Sequence, residues 1–491
     1  MSGTGAEQNV DTSTGHGLKK ELGLRDLVPM QILLVVGVAW CGIAAKQGGT
    51  QLWFWVLGII FFFLPLARLV TYCVQVWPQE GGVYQWTKHA IGPWAGFLGA
   101  WNFAFWVLLV VSNLGIMTAT SLSYSLGDKY GWMATNNWFI LALSAVLFGI
   151  ILLVNLPGFG IGKWVSHFGT VVMLLVTFLL MVLLVWHPHQ TATHQQVIDQ
   201  SRFSLAMHWS GPLNVMAMLF TINLFTKVVF NSLSGLEQVA VFAGETRNAA
   251  RTILRSAWVA APIIAIMYIL MTGSILTYIP SANVDLTGPI PQILAAAFSG
   301  GGATTGTDWG LMLGRFAILA LAVACIAQYA VVVAEISRLP MVAGWDGLLP
   351  AVFTKLHPKW KTPVWSIATM VGLAFVAAIV AIYLGNSNQV AFQLIVSTSN
   401  LCGGVYYVLF FAVPLVVGNR FGKKPSLGVK LCGLSCGMIT LFAMGFMMQP
   451  IVPVKSAWLF AAEVLGSGLL ANALGLLVYW NGSKKQRAAV S

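Results

Sequence analysis

The stretch ILLVVGVAWCGIAA, residues 32–45, holds no charged residue and is apolar on every face of a helix, yet Gly37 and Gly42 stand near its middle. Similar apolar runs, such as residues 171–186, recur along almost the whole chain. With their flanks they reach the roughly 20 residues that a helix needs to cross the ~30 Å hydrocarbon core. A membrane β-barrel would instead show alternating segments of about 10 residues. The sequence therefore predicts an all-α integral membrane protein.

The composition supports this class and argues against others. Of the 491 residues, 58% are hydrophobic and only 8% are charged, whereas soluble domains carry about 25% charge. An ordinary water-soluble enzyme is thereby excluded, and because no H-E-x-x-H motif is present, we expect no catalytic residue. The six cysteines lie in or beside apolar runs, which favours packing over a disulfide or zinc site. We expect no metal and no cofactor.

Turn and charge signals divide the chain into twelve predicted spans, and an even number places both termini on one side of the membrane. The expected organisation is a cytoplasmic tail at 1–26, a ten-helix transport core at 27–417, two additional helices at 429–480 and a cytoplasmic tail at 481–491. The spans are predicted to begin near Leu27, Trp53, Gly92, Trp138, Trp164, Leu213, Arg255, Trp309, Pro363, Gln389, Val429 and Ser456.

The distribution of Lys and Arg tests this topology, since cytoplasmic loops carry an excess of them. With both termini in the cytoplasm, the inside segments hold most of the 26 basic residues, and the outside receives only Lys46, Lys129, Arg202 and Lys455. The net charge of +12 is therefore a signal of orientation and not of nucleic-acid binding. We predict a multi-pass protein of the plasma (inner) membrane that contacts the lipid bilayer, and the sequence permits a homodimer.

Two spans carry signs of a broken helix at membrane depth, where irregular backbone is tolerated only if it is buried or lines a cavity. The first and the sixth span lie five apart, as in an inverted repeat of five plus five helices with its binding site at the repeat interface. Close helix packing is the alternative explanation for the glycines. We expect repeats at about 27–187 and 213–417. The candidate substrate-binding residues are Gly37, Ala39, Trp40, Cys41 and Gly42 in the first span and Phe230, Asn231, Ser232, Ser234 and Gly235 in the sixth.

Helices that unwind at these positions would expose two kinds of backbone group. The N-terminus of a half-helix attracts a carboxylate, and freed carbonyl groups accept hydrogen bonds from an ammonium group. A zwitterion satisfies both, so the pattern favours an amino-acid-like small molecule as the substrate.

Loop motifs in a characteristic order indicate a family. The chain reads PQEGGVY at 78–84, SGLE at 234–237 followed by GETRN at 244–248, and SR at 337–338 followed by WDGLLP at 345–350. These segments resemble those of the amino acid permeases of the amino acid, polyamine and organocation (APC) superfamily. The resemblance implies the leucine-transporter fold, with ten core helices in two inverted repeats, two more helices, and alternating access around a central site.

Two positions depart from the family pattern. At the first break the family usually reads like G-S-G-I-F, whereas this chain reads WCGIA at 40–44 and keeps only Gly-Ile. At the second break, the position of the family's aromatic gate falls on Asn231, and Phe230 is the neighbouring aromatic residue that would replace it.

Ionisable residues at bilayer depth are candidates for coupling or cavity charge. Glu237 matches the acidic position of the family motif, where a proton-responsive role is known in some relatives, although a structural carboxylate bridging helices fits as well. Lys227 lies one turn before Asn231 on the same face, and with Arg315 it would hold a second anionic group and repel a polyamine. Snorkelling to the headgroups is the alternative for both cations. We expect Glu335 to pair with Arg338.

The coupling ion can also be addressed from the sequence. In the leucine-transporter fold the sodium site uses hydroxyl groups of the eighth helix and carbonyl groups of the first, and residues 317–336 hold no Ser or Thr. We therefore predict a secondary active transporter of amino acids or closely related small solutes, with proton coupling or exchange. An amino acid or amine sensor and a polyamine transporter on the same fold are the alternatives.

Overall fold

A computed structural model describes residues 20–185, 215–299, 309–384, 387–418 and 424–490. Residues 1–19 of the predicted tail and the predicted repeat boundary at 187–213 lie outside these ranges. The described α-helices are α1 Leu24–Val35, α2 Val38–Ala45, α3 Gln51–Gly58, α4 Leu64–Val76, α5 Val83–Ala90, α6 Pro93–Ser112, α7 Leu114–Leu126, α8 Asn137–Asn155, α9 Phe159–Leu183, α10 Val215–Leu233, α11 Ala249–Tyr278, α12 Pro289–Ser299, α13 Trp309–Ile336, α14 Arg338–Trp345, α15 Val364–Leu384, α16 Asn388–Val416, α17 Leu427–Phe446 and α18 Ala457–Val490.

Ten stretches of the described chain are helices long and apolar enough to cross a membrane, and the bent pair of α1 and α2 raises the number to eleven. The prediction of an all-α membrane protein is thereby confirmed. Large apolar side chains such as Trp138, Val376 and Leu469 are more than half exposed on the outer helices, as lipid contact requires. The short helices α5 and α12 were not predicted.

The broken helices lie at the centre of the bundle. Helix α1 packs between α9 and α11, α2 packs against α10 and α11, and α6 lies along α16. We call the face that carries the N-terminal segment 20–23 the inner face and the opposite one the outer face.

The first break separates α1 from α2, which are bent by 49°. Val36 and Gly37 adopt extended backbone angles there. The Gly37 N–H donates to the Tyr268 hydroxyl at 2.9 Å, and that hydroxyl donates to the Val35 carbonyl at 2.7 Å. The Gln328 amide donates to the Val36 carbonyl at 2.7 Å. Side chains of α11 and α13 thus satisfy backbone groups that lipid cannot.

The second break follows α10, which ends at Leu233. Gly235 has a φ of +103°, a conformation that strains residues with a side chain, and its N–H donates to the Tyr407 hydroxyl at 2.9 Å. A 3-10 helix, Gln238–Glu245, continues the chain. The Gln31 amide of α1 donates to the Leu236 carbonyl at 2.6 Å, so α1 is tied directly to the segment that follows the second break.

Candidate functional site

The two breaks face one central cavity of about 70 Å³. Five of the ten candidate substrate-binding residues lie in its wall: Gly37, Ala39, Trp40, Asn231 and Ser234. The rest of the wall is formed by Leu34, Val35, Trp106, Val107, Val110, Asn113, Met117, Gln238, Gln328, Tyr329, Val332 and Phe392.

Trp40 closes the central cavity from above the first break. Its indole lies so close to Gly37 that a Cβ added there would stand 2.3 Å from the indole nitrogen. The Trp40 ring also lies 6.4 Å from that of Phe392 on α16. Since a cavity needs about 10–15 Å³ of space to hold one water molecule, the central cavity has room for only a few waters.

Three of the other candidates lie near the central cavity without lining it. Cys41 is fully buried. Gly42 packs against the outer helix α12, where an added Cβ would meet the Pro289 ring at 2.9 Å. Ser232 is likewise fully buried on α10. Only one side of α2 faces the cavity. Cys41 and Gly42 lie on the other side of this helix, which packs against neighbouring helices.

Phe230 and Gly235 lie at the second break but do not line the central cavity. The Phe230 ring is fully buried and lies 6.0 Å from the ring of Trp106 and 5.5 Å from that of Tyr407. Gly235 supplies the turn. In this conformation Phe230 therefore supports Trp106 and does not cover the cavity.

Several cavity residues present polar atoms without a hydrogen-bond partner among the described residues. These atoms are the Trp106 indole N–H, the Asn113 side-chain oxygen and the Gln238 side-chain oxygen. Buried polar groups are nearly always paired in folded proteins. One free donor and two free acceptors around one cavity therefore indicate that a ligand, or water, completes them.

Glu237 is fully buried next to the second break, although it does not line the cavity. Its Oε1 accepts hydrogen bonds from the hydroxyl groups of Tyr407 at 2.6 Å and Tyr406 at 3.3 Å. Its Oε2 has no hydrogen-bond partner among the described residues. The carboxyl group thus connects the second break to α16.

The predicted pair of Glu335 and Arg338 is not formed. Arg338 instead contacts both carboxylate oxygens of Glu245 at 3.2 Å. Glu335 is fully buried, and within the described chain neither of its oxygens has a hydrogen-bond partner. Spacing along a single helix suggested the pair, but the chain ends α13 at Ile336 and turns before Arg338.

Neither candidate cation lies in the wall of the central cavity. Lys227 is buried, and its ammonium group donates to the Gln449 carbonyl. Arg315 is partly exposed beside Gly127, at the outer end of α7. The described cavity wall contains no charged side chain, so the argument that these cations repel a polyamine has no support in the geometry.

Sequence reasoning missed several cavity residues. Trp106, Asn113, Gln328 and Tyr329 were not candidates, although each is a polar or amphipathic side chain inside a long apolar run. On the eighth span only hydroxyl groups were expected to mark a site, whereas the span's single amide, Gln328, lines the cavity.

Helices broken at bilayer depth around a shared cavity define a multi-pass membrane transporter, not an enzyme. The sequence model of the family described as amino acid permease matches residues 22–469. The chain therefore belongs to the amino acid permease family.

Three proteins are similar to this chain in sequence, and one solved structure is similar to it in fold. An uncharacterised transporter of Legionella pneumophila is 24% identical over 95% of this chain and 97% of its own. The low-affinity putrescine importer PlaP of Escherichia coli is 25% identical over 82% and 79%, and the branched-chain amino acid permease BcaP of Bacillus subtilis is 24% identical over 74% and 76%. MhsT, solved with L-phenylalanine, has a TM-score of 0.63 at 14% identity, covering 88% of this chain and 99% of its own. That likeness concerns the leucine-transporter fold alone.

Proposed function

We propose that this protein moves amino acids or closely related amines across the plasma membrane by alternating access around the central cavity, with both termini in the cytoplasm. The observation that carries the proposal is the meeting of two helix breaks at one cavity that offers unpaired polar atoms. Membership of the permease family agrees with it.

The proposal includes the twelve spans and the five-plus-five repeat. Helix α10, Val215–Leu233, lies between the predicted fifth and seventh spans and serves as the sixth crossing in this scheme, which brings the number of crossings from eleven to twelve. The breaks after α1 and α10 occupy corresponding places in the first and sixth crossings, as an inverted repeat requires.

The central cavity can recognise both ends of an amino acid without a charged side chain. The free Trp106 N–H and the first-turn N–H groups of α2 suit a carboxylate, since a helix N-terminus favours negative charge. The free oxygens of Asn113 and Gln238 suit an ammonium group, and the faces of Trp40 and Trp106 add cation–π attraction.

For the coupling ion we propose protons or exchange instead of sodium. The Gln328 amide already donates to the Val36 carbonyl of the first break, and a hydrogen-bond donor occupies the carbonyl that a hard cation would need. Glu237 is the proposed proton-responsive carboxyl group, because it joins the second break to α16 through two tyrosines.

Putrescine import is the second candidate function. PlaP is a putrescine importer, and the uncharged wall of the central cavity places no cation against a diamine. A sensor on the same fold would bind the same ligands without accumulating them.

Uptake into proteoliposomes tests these proposals with radiolabelled leucine and putrescine as probes. We expect accumulation of at least one probe under an inward proton gradient or by counterflow, with no dependence on a sodium gradient at fixed pH. Accumulation driven by sodium contradicts the coupling proposal. Specific binding without accumulation of either probe contradicts transport and favours a sensor.

A further inference from the structure

A second and larger cavity, of about 640 Å³, opens on the outer face. It shares two helices with the central cavity. On α7, Met117 lines the central cavity, and Thr120 and Tyr124 line the outer one. Because they are spaced three and seven residues apart, these side chains lie on one face of the helix.

Helix α16 repeats this arrangement. Phe392 lines the central cavity, while Asn388 and Gln389, about one turn before it, line the outer cavity. The two cavities are therefore stacked along the same pair of helices. Met117 and Phe392 separate them, together with Trp40, whose ring lies 6.4 Å from that of Phe392.

The outer cavity contains the side chain of Asp285, which is held in place by several hydrogen bonds. Oδ1 of Asp285 accepts from the backbone N–H of Thr287 at 2.9 Å and from its hydroxyl at 2.7 Å. The Gln389 amide donates to the same oxygen at 3.4 Å, and the Tyr124 hydroxyl donates to Oδ2 at 3.1 Å. All of these donors are neutral, so they hold the carboxylate in place without cancelling its charge.

The rest of the outer wall suits a polar cation. Asp285 is the one acidic or basic residue in the described wall, which also includes buried Thr120 and Thr287 besides Asn388. Hydroxyl and amide oxygens accept hydrogen bonds from an ammonium group. A carboxylate in a concave wall of low dielectric also raises the local concentration of cations.

We propose that the outer cavity is a binding site for a primary ammonium group, anchored on the Asp285 carboxylate. The site rests on the proposed transport function, because it lies on the outer side of the barrier formed by Trp40, Met117 and Phe392. A substrate held there by its ammonium group is positioned to enter the central cavity when the barrier opens. The chemistry is shared by amino acids and by amines such as putrescine, and it discriminates against analogues without a free amine.

One neighbouring cation opposes the carboxylate. Lys46, just after α2, interacts electrostatically with Asp285 but forms no ion pair with it within 4.0 Å. A neutral residue in place of Asp285 should therefore make the electrostatic potential of the outer cavity more positive, and a neutral residue in place of Lys46 should make it more negative. Asp285→Asn keeps one oxygen as the acceptor for Thr287 and removes the charge. Its new amide nitrogen faces the Tyr124 hydroxyl, which can accept a hydrogen bond from it. Lys46→Gln removes the opposing charge.

The charge of the outer cavity is measured without transport by labelling a Ser123→Cys variant, since Ser123 is a partly exposed wall residue. Five of the native cysteines are buried and Cys432 is half-buried, and the unmodified protein gives the background. We compare methanethiosulfonates with a trimethylammonium and with a sulfonate group. The ratio of their rates should fall about tenfold in Asp285→Asn and rise in Lys46→Gln. Asp128→Asn, on the same face, is the matched control and should leave the ratio unchanged.

Protection of the same cysteine identifies the ligand class. Putrescine and leucine should slow the labelling, N-acetylleucine should not, and Asp285→Asn should abolish the protection. Protection by N-acetylleucine equal to that by leucine, or a rate ratio unchanged by Asp285→Asn, overturns the proposal. Protection by putrescine alone assigns the site to amines, and protection by both probes assigns it to any primary ammonium group.

Uptake separates this site from the proposed function. In proteoliposomes Asp285→Asn should raise the external KM for the accumulated probe roughly three- to tenfold with little change in kcat. If neither probe accumulates but both still protect the cysteine in a charge-dependent way, transport of these probes fails and the site stands. If a probe accumulates with the same KM in wild type and Asp285→Asn, transport stands and the site is rejected.

Discussion

Asn231 stands where the family resemblance places an aromatic gate, and its side chain lines the central cavity. Its amide nitrogen donates to the Lys227 carbonyl at 2.7 Å, so the side-chain oxygen is the group that can accept a hydrogen bond from a ligand in the cavity. Asn231→Ala should raise the KM of the transported probe about three- to tenfold through the loss of one buried hydrogen bond. Asn223→Ala, two turns away on the same face and outside the cavity wall, is the control. Equal effects of the two substitutions would show that Asn231 acts through helix stability.

Glu237 is tested by removing its charge while keeping its shape. In Glu237→Gln the side-chain oxygen still accepts from Tyr407, whose hydroxyl lies 2.6 Å from Oε1, but the group no longer exchanges a proton. We expect uptake to lose its pH dependence between about pH 5 and 8 while binding of the probe persists. Glu463→Gln on α18, one of the two predicted additional helices, is the matched control. A pH profile that matches the wild type would remove Glu237 as the coupling residue.

At the scale of the element, the sequence predicted where both helix breaks lie, but not which residues elsewhere in the chain stabilise them. The sequence makes Gly37 and Gly42 equally good candidates for the position of the first break. In the structure the helix is interrupted at Gly37, while Gly42 packs against Pro289. The difference comes from Tyr268 and Gln328, far along the chain, which reach the backbone groups around Gly37. The sequence around a break does not reveal partners that lie far along the chain. For that reason the sequence could not tell which candidates face the cavity, and five of the ten lie outside its wall.

The first break should depend on Tyr268 for its stability. The hydroxyl accepts from the Gly37 N–H and donates to the Val35 carbonyl, and its ring stacks on Trp55 at 4.8 Å. Tyr268→Phe keeps the stacking and leaves two backbone groups unpaired, at a cost of about 1–3 kcal/mol for each. We expect a melting temperature several degrees lower in detergent. Tyr383→Phe, at a mostly exposed position on α15, should change it little, and an equal effect of both would refute the bridging role.

Across the whole molecule, the outer cavity is open and the inner face is closed. At the inner face the N-terminal segment pairs with the chain after the second break, where the Glu21 and Leu22 N–H groups donate to the Glu245 carbonyl at 3.0 Å. Glu245 also pairs with Arg338, and the Glu80 carboxyl group accepts the Gly244 N–H. This closure joins four segments that are remote in sequence, and the sequence indicated only the individual loop motifs.

Glu80 should make this closure sensitive to pH. Burial and then the proximity of Glu245 raise the pKa of the Glu80 carboxyl group well above its usual value, although Arg338 and the Gly244 N–H lower it. The closed inner face therefore binds a proton that an open, hydrated Glu80, with an ordinary pKa of about 4.3, has released at neutral pH. Closure is accordingly favoured at low pH and weakened as pH rises through the raised pKa.

Hydrogen–deuterium exchange of peptides covering the 3-10 helix Gln238–Glu245, corrected for intrinsic rates, measures this closure. We expect protection in the wild type to decrease from pH 6 to pH 8. In Glu80→Gln, which mimics the protonated group, protection should be the same at both pH values. Glu21→Gln removes a neighbouring carboxylate outside the Glu80, Glu245 and Arg338 cluster and should retain the wild-type response. A pH response that survives Glu80→Gln would assign the proton to another group, because Glu80 can then no longer bind it.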